Sequence, residues 1–396
     1  MTSQRRTLER VLIVGGAAAG LASAEALRRN GHEGEIVIVG DEHDRSCDRP
    51  PLSKQVLSGQ WTPEKAALMP AVRLERIAAE LRTGRAASLD VEAHKVELTD
   101  GGTLGYDALI AATGVRPRTL PGSAVSGVHV LRTLADSVAL RGALGEGKTL
   151  VVVGGGFLGL EVAATAHKLG TRVVVVEPVP APLASRLGTH IAERLLAEHA
   201  DRGVEVRCGV GAAEILTTDG PQGPAARGIR TTDGDELAAD AVLVAIGSVP
   251  NVEWLTGSGV DITDGVVCDA YCQAAPDVWA AGDVARWHHE GLGRSIRLEH
   301  RLNATEQGQV VARNIVGDSP TAFTPTPFFW TDHYDVKIQL AGVVPENAVE
   351  RTELDENGSL IRSFSLDGRL LGVVGWNAAK ALVPYRRELD LSPLPA

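Results

Sequence analysis

The residues whose types and spacing could do chemistry fall into a few groups. Two glycine turns come first: Gly15, Gly16, Ala18 and Gly20 after Val11-Leu12-Ile13-Val14, and Gly154, Gly156, Leu158 and Gly159 after Leu150-Val151-Val152-Val153. In such a turn the backbone amides and the dipole of the following helix together hold an anion, typically a pyrophosphate. The second turn has the complete G-x-G-x-x-G, and its next strand ends in Glu177, a carboxylate suited to an adenosine ribose 2′-hydroxyl. A 2′-phosphate would meet that negative charge, and no lysine or arginine follows before Arg186, so the pattern favours NADH over NADPH. In the first turn Ala17 replaces the middle glycine. Gly40 occupies the acid position there, and Asp41 beside it takes the ribose role.

Cysteine chemistry is poorly supported. Four cysteines in 396 residues are no disulfide framework, and Cys268 and Cys272, four apart, fit neither a zinc knuckle nor a C-x-x-C pair. No metal site is expected, and the chain reads as cytosolic and reduced.

The elements that must carry these turns occur twice. Val11–Leu21 aligns without gaps onto Leu150–Leu160, and the match continues to Gly31 and Gly170. Asp107–Gly114, containing Ala112-Thr113-Gly114, likewise resembles Asp240–Gly247, each followed by two residues and then a proline, Pro117 or Pro250. Before each lies a hairpin turn, Asp100-Gly101 or Asp233-Gly234. Each copy reads as buried strand, glycine turn, alanine-rich helix and second strand, Ile36–Val39 or Val173–Val176. Two nucleotide sites in one chain follow. With 396 residues the chain is too long for one core, and 39 basic against 50 acidic side chains argue against nucleic acid as a partner. Arg5, Arg6 and the apolar run to Leu27 mimic a targeting signal, but the glycines within it mark strand, turn and helix. No other stretch approaches the ~20 apolar residues of a membrane span.

The order of these motifs, with Asp48-Arg49-Pro50-Pro51-Leu52-Ser53-Lys54, Gly247-x-x-Pro250 and Ala281-Gly282-Asp283, resembles the two-dinucleotide flavoprotein superfamily. Arg49–Lys54 and Phe328-Phe329-Trp330-Thr331-Asp332 resemble, within it, the NADH-dependent ferredoxin reductases, such as putidaredoxin and rubredoxin reductases. The resemblance implies an α/β fold with two Rossmann-like dinucleotide-binding domains and a C-terminal α+β domain. It divides the chain into an FAD domain (1–115 and 247–319), an NADH domain (116–246) and a C-terminal domain (320–396). It places FAD against Gly15, Gly20, Asp41, Arg49, Lys54, Ala87, Arg132 and Asp283, with Gly16, Ala18, Thr113, Gly114, Gly247 and Gly282 in the surrounding turns. Asp283 also suits a helix N-cap. Lys54 and Glu161 resemble the family's charged pair at the flavin's reactive edge, and Trp330 its aromatic over the flavin, although the Phe328–Trp330 cluster would also suit a core.

Two positions depart from the family. Arg301 stands where relatives carry tryptophan or an aliphatic residue near the flavin, and would raise its potential or help an acidic partner dock. Ala181 stands where an arginine assists NADH, with Arg186 as the compensating cation. The implied activity is electron transfer from NADH through FAD to an iron–sulfur ferredoxin, or a rubredoxin, serving a haem-thiolate monooxygenase or Rieske dioxygenase. Arg294, Arg297 and Arg301, with Lys337, form the expected docking cluster. Two other readings stay open: a single-cysteine NADH oxidase, peroxidase or coenzyme-A disulfide reductase using Cys47, and an NADH-sensing flavoprotein without an efficient ferredoxin partner.

Overall fold

The computed structural model describes residues 8–42, 46–68, 75–220 and 223–392; Arg5 and Arg6 lie outside them. The apolar run behind those arginines is a strand, Arg10–Val14, and a helix, Ala18–Arg29. Val11, Leu12 and Ile13 are fully buried, as a strand covered on both faces requires.

The two halves of the sequence repeat form two sheets. In the first, the order is Gln273–Ala275, Val278–Ala280, Ala108–Ala111, Arg10–Val14, Glu35–Gly40 and Glu80–Thr83. All neighbours are parallel except the hairpin pair 273–280. In the second, Glu205–Cys208, Arg172–Glu177, Thr149–Val153, Ala241–Val244 and Val128–His129 are parallel throughout. The repeat reappears as register: Val14 pairs with Ala111 and Val39, and Val153 with Val244 and Val176. The first sheet draws strands from both sides of the second, so the chain crosses between the units twice. The crossings lie side by side, Val115–Pro117 antiparallel to Ser248–Pro250. Both expected hairpin turns are present, between Lys95–Leu98 and Thr103–Gly105 and between Gly223–Thr231 and Glu236–Ala238.

The C-terminal part is a five-stranded antiparallel sheet, ordered Phe328–His333, Val336–Gly342, Arg369–Trp376, Ser359–Leu366 and Val349–Glu356, followed by helix Leu382–Glu388. It shares a core with the second unit. Leu52, Leu57, Leu160, Val162, Ile338, Phe364 and Trp376 pack together, and full burial of each such side chain is worth roughly 1.5–3 kcal/mol. That core fixes segment 50–58 of the first unit, helix Phe157–Lys168 of the second and the C-terminal sheet against one another. No helix among the described residues is long and apolar enough to cross a membrane.

Candidate active site

Both glycine turns are shaped by close backbone approaches. Gly15 and Gly154 have φ of +115° and +110°, and a Cβ on either would lie 2.1 or 2.3 Å from the carbonyl oxygen of Ala112 or Ala245. Gly20 and Gly159 press on Gly15 and Gly154 in the same way. Gly156 differs: a Cβ there would meet nothing within 4 Å. Packing does not require that glycine, so the space above it suits a ligand.

The helices after these turns, Ala18–Arg29 and Phe157–Lys168, start at Ala17 and Gly156 with no side-chain cap. Helix Leu134–Gly142, by contrast, is closed by a capping box of Thr133 and Asp136. The amides left open at the two repeated turns suit pyrophosphates. Glu177 accepts from the Gly155 amide at 2.7 Å and from the Val179 amide at 2.8 Å, which holds its carboxylate at the second turn.

Beyond the first turn lies a cavity of about 330 Å³. Ala18, Arg49, Lys54, Gly114, Arg132, Leu158, Glu161, Gly282, Asp283, Arg301 and Trp330 of the expected set line it. Residues from both units and the C-terminal strand Phe328–His333 therefore meet there. Helix Arg301–Val316 reaches the cavity because small residues let it touch helix Ala18–Arg29: a Cβ on Gly308 would sit 2.6 Å from the Ala19 carbonyl.

Lys54 and Glu161 lie in the wall between the units. Lys54 Nζ donates to Glu161 Oε2 at 2.8 Å and Ser53 Oγ donates to the same oxygen at 2.6 Å. Thr331 Oγ1 donates to Oε1 at 2.7 Å and the Asp332 amide at 3.3 Å. Burial would raise the Glu161 carboxyl, but the charge of Lys54 and the hydrogen bonds from Lys54 and Ser53 outweigh it and hold it below its ordinary value. Lys54 is delivered to this point by backbone anchors: Thr165 Oγ1 donates to the Ser53 carbonyl and Ser137 Oγ to that of Leu52.

The opposite wall is also charged. Arg132 Nη2 lies 3.1 Å from Asp283 Oδ2, and burial pushes the Asp283 carboxyl up despite that partner. Arg49 pairs with Glu42 and donates to the Arg132 carbonyl at 2.6 Å, while its buried Nε has no partner. An unpaired buried donor facing a cavity fits an anionic ligand. His300, its ring tilted against Phe329 at 5.1 Å between ring centres, is lowered to about 4 by burial and then by Arg186. Arg186 itself is not among the residues that line the cavity.

Other expected residues stand apart from the cavity. Asp41 is exposed and pairs with Arg85. Ala87 lies on strand Ala86–Asp90, in a separate three-stranded sheet. Thr113 and Gly247 belong to the crossings: Thr113 Oγ1 donates to the Asn251 carbonyl, and Gly247 accepts from the Arg118 amide.

Of the expected docking cluster, Arg294 is exposed, and the other members are paired within the chain. Arg297 is only 15% exposed at its side chain and pairs with Asp264 and Glu299, and Arg301 pairs with Asp48. Lys337 pairs with Asp332. Their charges are shared with the fold's own carboxylates. Ser53, Phe329 and Thr331 stand in the motifs quoted above with no role assigned to them, and His300 was not singled out. The only signal for Thr331 was its place beside Trp330.

Two nucleotide turns opening towards one cavity, with a charged pair between them, define an oxidoreductase of the two-nucleotide class. Residues 9–308 match the family model described as pyridine nucleotide-disulphide oxidoreductase, and residues 328–392 match the reductase C-terminal model. The chain belongs to the pyridine nucleotide-disulphide oxidoreductase family and binds FAD and NAD(H).

It is 36% identical over 393 residues to rhodocoxin reductase of Rhodococcus erythropolis, covering 97% of this chain and 91% of the relative. It is 34% identical over 391 residues to the ferredoxin–NAD(+) reductase component of the anthranilate 1,2-dioxygenase system of Burkholderia cepacia, covering 97% and 95%. The crystal structure of a covalent putidaredoxin reductase–putidaredoxin complex superposes with a TM-score of 0.91 at 29% identity, covering 96% and 94%.

The Cys47 reading is not favoured. Cys47 lines the cavity but is only 4% exposed, and burial pushes its thiol up despite Arg49, whose Nη1 lies 3.3 Å from the sulfur. A protonated, enclosed thiol is a poor nucleophile. The sensing reading is not favoured either, since these relatives are named as reductases.

Proposed function

We propose that this protein is an NADH:ferredoxin oxidoreductase that passes electrons through FAD to an iron–sulfur ferredoxin, which serves a monooxygenase or dioxygenase. The observation that carries the reading is the Lys54–Glu161 pair, buried where the two nucleotide units meet and beside Trp330. We divide the chain accordingly into an FAD domain (1–115 and 247–319), an NADH domain (116–246) and a C-terminal domain (320–396), and place its work in the cytoplasm.

A bound FAD would supply the hydride acceptance and the release of single electrons. The chain's own residues do the rest. Open amides at Ala18 and the guanidinium of Arg49 bind the pyrophosphate of the first nucleotide, and Asp283 orients its sugar chain. Glu177 selects the ribose of the second, so NADH is preferred to NADPH. Lys54 faces the negative charge that develops as hydride arrives, and a preorganised cation in a dry site is worth about a hundredfold or more in rate. Glu161 holds that lysine in place. Phe157, Phe329 and Trp330 exclude water.

Anaerobic mixing of the FAD-loaded protein with NADH, then with a ferredoxin, tests this. Rapid bleaching of the flavin by NADH, slower bleaching by NADPH and re-oxidation by ferredoxin are expected. Bleaching without re-oxidation by any of a panel of ferredoxins refutes the ferredoxin assignment.

A further inference from the structure

Behind the charged pair, on the side away from the cavity, lies a line of buried polar side chains that hydride transfer does not require. Thr331 Oγ1, which donates to Glu161 Oε1 at 2.7 Å, is also 2.9 Å from His333 Nε2. The His333 ring meets the His199 ring edge to face, 5.4 Å between centres. His199 Nδ1 lies 3.0 Å from the Tyr334 hydroxyl. Tyr334 is half-buried, its ring is covered by Arg202 at 4.5 Å, and its carbonyl accepts from Lys168. The line thus runs from the wall of the active site to the protein surface.

We propose that Thr331, His333, His199 and Tyr334 form a proton wire that loads and unloads the Glu161 carboxylate during turnover. The inference rests on the proposed reaction, in which NADH yields NAD+, one proton and two electrons that leave separately.

The hydrogen count gives the wire its direction. A threonine hydroxyl carries one hydrogen, and ionised Glu161 can only accept, so Thr331 donates to Glu161. His333 must then donate from Nε2 to Thr331, which leaves Nδ1 as a bare lone pair. That atom is buried without a hydrogen-bond partner, and so is Nε2 of His199. Two unsatisfied ring nitrogens on neighbouring, fully buried histidines are unusual. Their edge-to-face contact is the one link of the line that no hydrogen bond makes.

The groups around the rings keep both neutral at rest. His333 is lowered to about 4 by burial, with Lys54 adding to the effect and Glu161, Asp332 and the Leu160 carbonyl opposing it. His199 is lowered to about 3 by burial, then by His333, Arg202 and His167.

When hydride brings two extra electrons into the site, a proton moves inward. It binds His333 Nδ1, the Nε2 proton passes to Thr331, and the former Thr331 proton passes to Glu161 Oε1. Neutralising Glu161 leaves Lys54 free to face the added negative charge. As the electrons depart, the same hops run backwards and the borrowed proton returns to solvent, so the one proton released in the net reaction is the hydride's own. No group in the wire is oxidised or reduced.

Two measurements test the wire. In the FAD-loaded protein labelled with ¹⁵N-histidine, NMR should find His333 neutral with its proton on Nε2. A proton on Nδ1, or a doubly protonated ring, overturns the proposal without reference to NADH. Second, stopped-flow mixing with NADH in weak buffer follows flavin bleaching and a pH-indicator dye together. In the wild type the proton signal should keep pace with bleaching. In Thr331→Val and His199→Phe it should lag bleaching by about a hundredfold, the scale of a lost proton-transfer group, and Thr331→Ser should restore it. Proton uptake in step with bleaching in both variants refutes the wire. Absence of bleaching in the wild type refutes the proposed reaction instead.

Discussion

Arg132 and Asp283 stand 151 positions apart and meet at 3.1 Å through Nη2 and Oδ2. Arg132 immediately precedes the Thr133 cap of helix Leu134–Gly142, while Asp283 follows strand Val278–Ala280 of the first sheet. The pair therefore joins the two units in the cavity lining. Asp283 is enclosed enough for burial to push its carboxyl up, with Arg132 as the main opposing charge.

Removing Arg132 should leave Asp283 buried without its partner. The Arg132→Met protein is expected to hold FAD at least tenfold more weakly, equivalent to about 1.4 kcal/mol. Fluorescence of released flavin during dilution reads this directly. An unchanged dissociation constant would show that Asp283 does not depend on Arg132.

The two outer glycines of the second turn and its middle glycine should respond differently to one added methyl. Gly154→Ala forces a Cβ to 2.3 Å from the Ala245 carbonyl at a φ of +110°, a strain of about 1–3 kcal/mol that lowers Tm. Gly156→Ala meets no protein atom and keeps an ordinary φ of −74°, so Tm should hold while KM for NADH rises. Calorimetry and steady-state kinetics separate the two effects. A large loss of Tm in Gly156→Ala would mean that the position is structural after all.

Cys47 should be dispensable. Cys47→Ser is expected to keep NADH turnover within about twofold of wild type, because a raised, enclosed thiol contributes little thiolate. Alkylation of the native protein by iodoacetamide should likewise be slow at this position. Loss of turnover with every acceptor would revive a thiol mechanism.

Stability should fall on mild acidification, with the buried histidines responsible. The unfolded chain binds protons on His199 and His333 near the ordinary value of 6.5, whereas the folded chain resists until about 3 and about 4. Below 6.5 the unfolded state therefore holds more protons, and folding stability declines as pH drops towards 4. Glu161, held below its ordinary 4.5, adds a loss of the same sign at lower pH. Denaturant titrations from pH 7 to 4 should show this slope, and His199→Phe should make it shallower. An unchanged slope in that variant would remove His199 as a cause.

Local pattern carried much of the fold. A strand buried on both faces must be a continuous apolar run, and a helix packed on it must pass through a glycine turn, so both nucleotide units were legible in Val11–Leu21 and Leu150–Leu160. Gly154, Gly156 and Glu177 could be assigned because their role depends on neighbours within one strand–turn–helix unit. The motifs Ala112-Thr113-Gly114 and Gly247-x-x-Pro250 were legible as a matched pair, but not as two crossings that hydrogen-bond to each other through Asn251.

Charge was harder to read than backbone. Arg297 and Arg301 are indistinguishable in the sequence from free surface arginines, and only the folded chain brings Asp264, Glu299 and Asp48 to them. Thr331 and His333 follow an aromatic run as ordinary strand residues, and strand alternation says only that they share a face. What they touch was settled when the C-terminal sheet packed on helix Phe157–Lys168, placing Thr331 against a carboxylate 170 positions earlier. The sequence by itself determined the two nucleotide units, since glycine conformation and strand burial are local demands. Tertiary structure alone decided which charges pair and which polar side chains stand in line, because hydrogen bonds depend on distances between segments that no local spacing encodes.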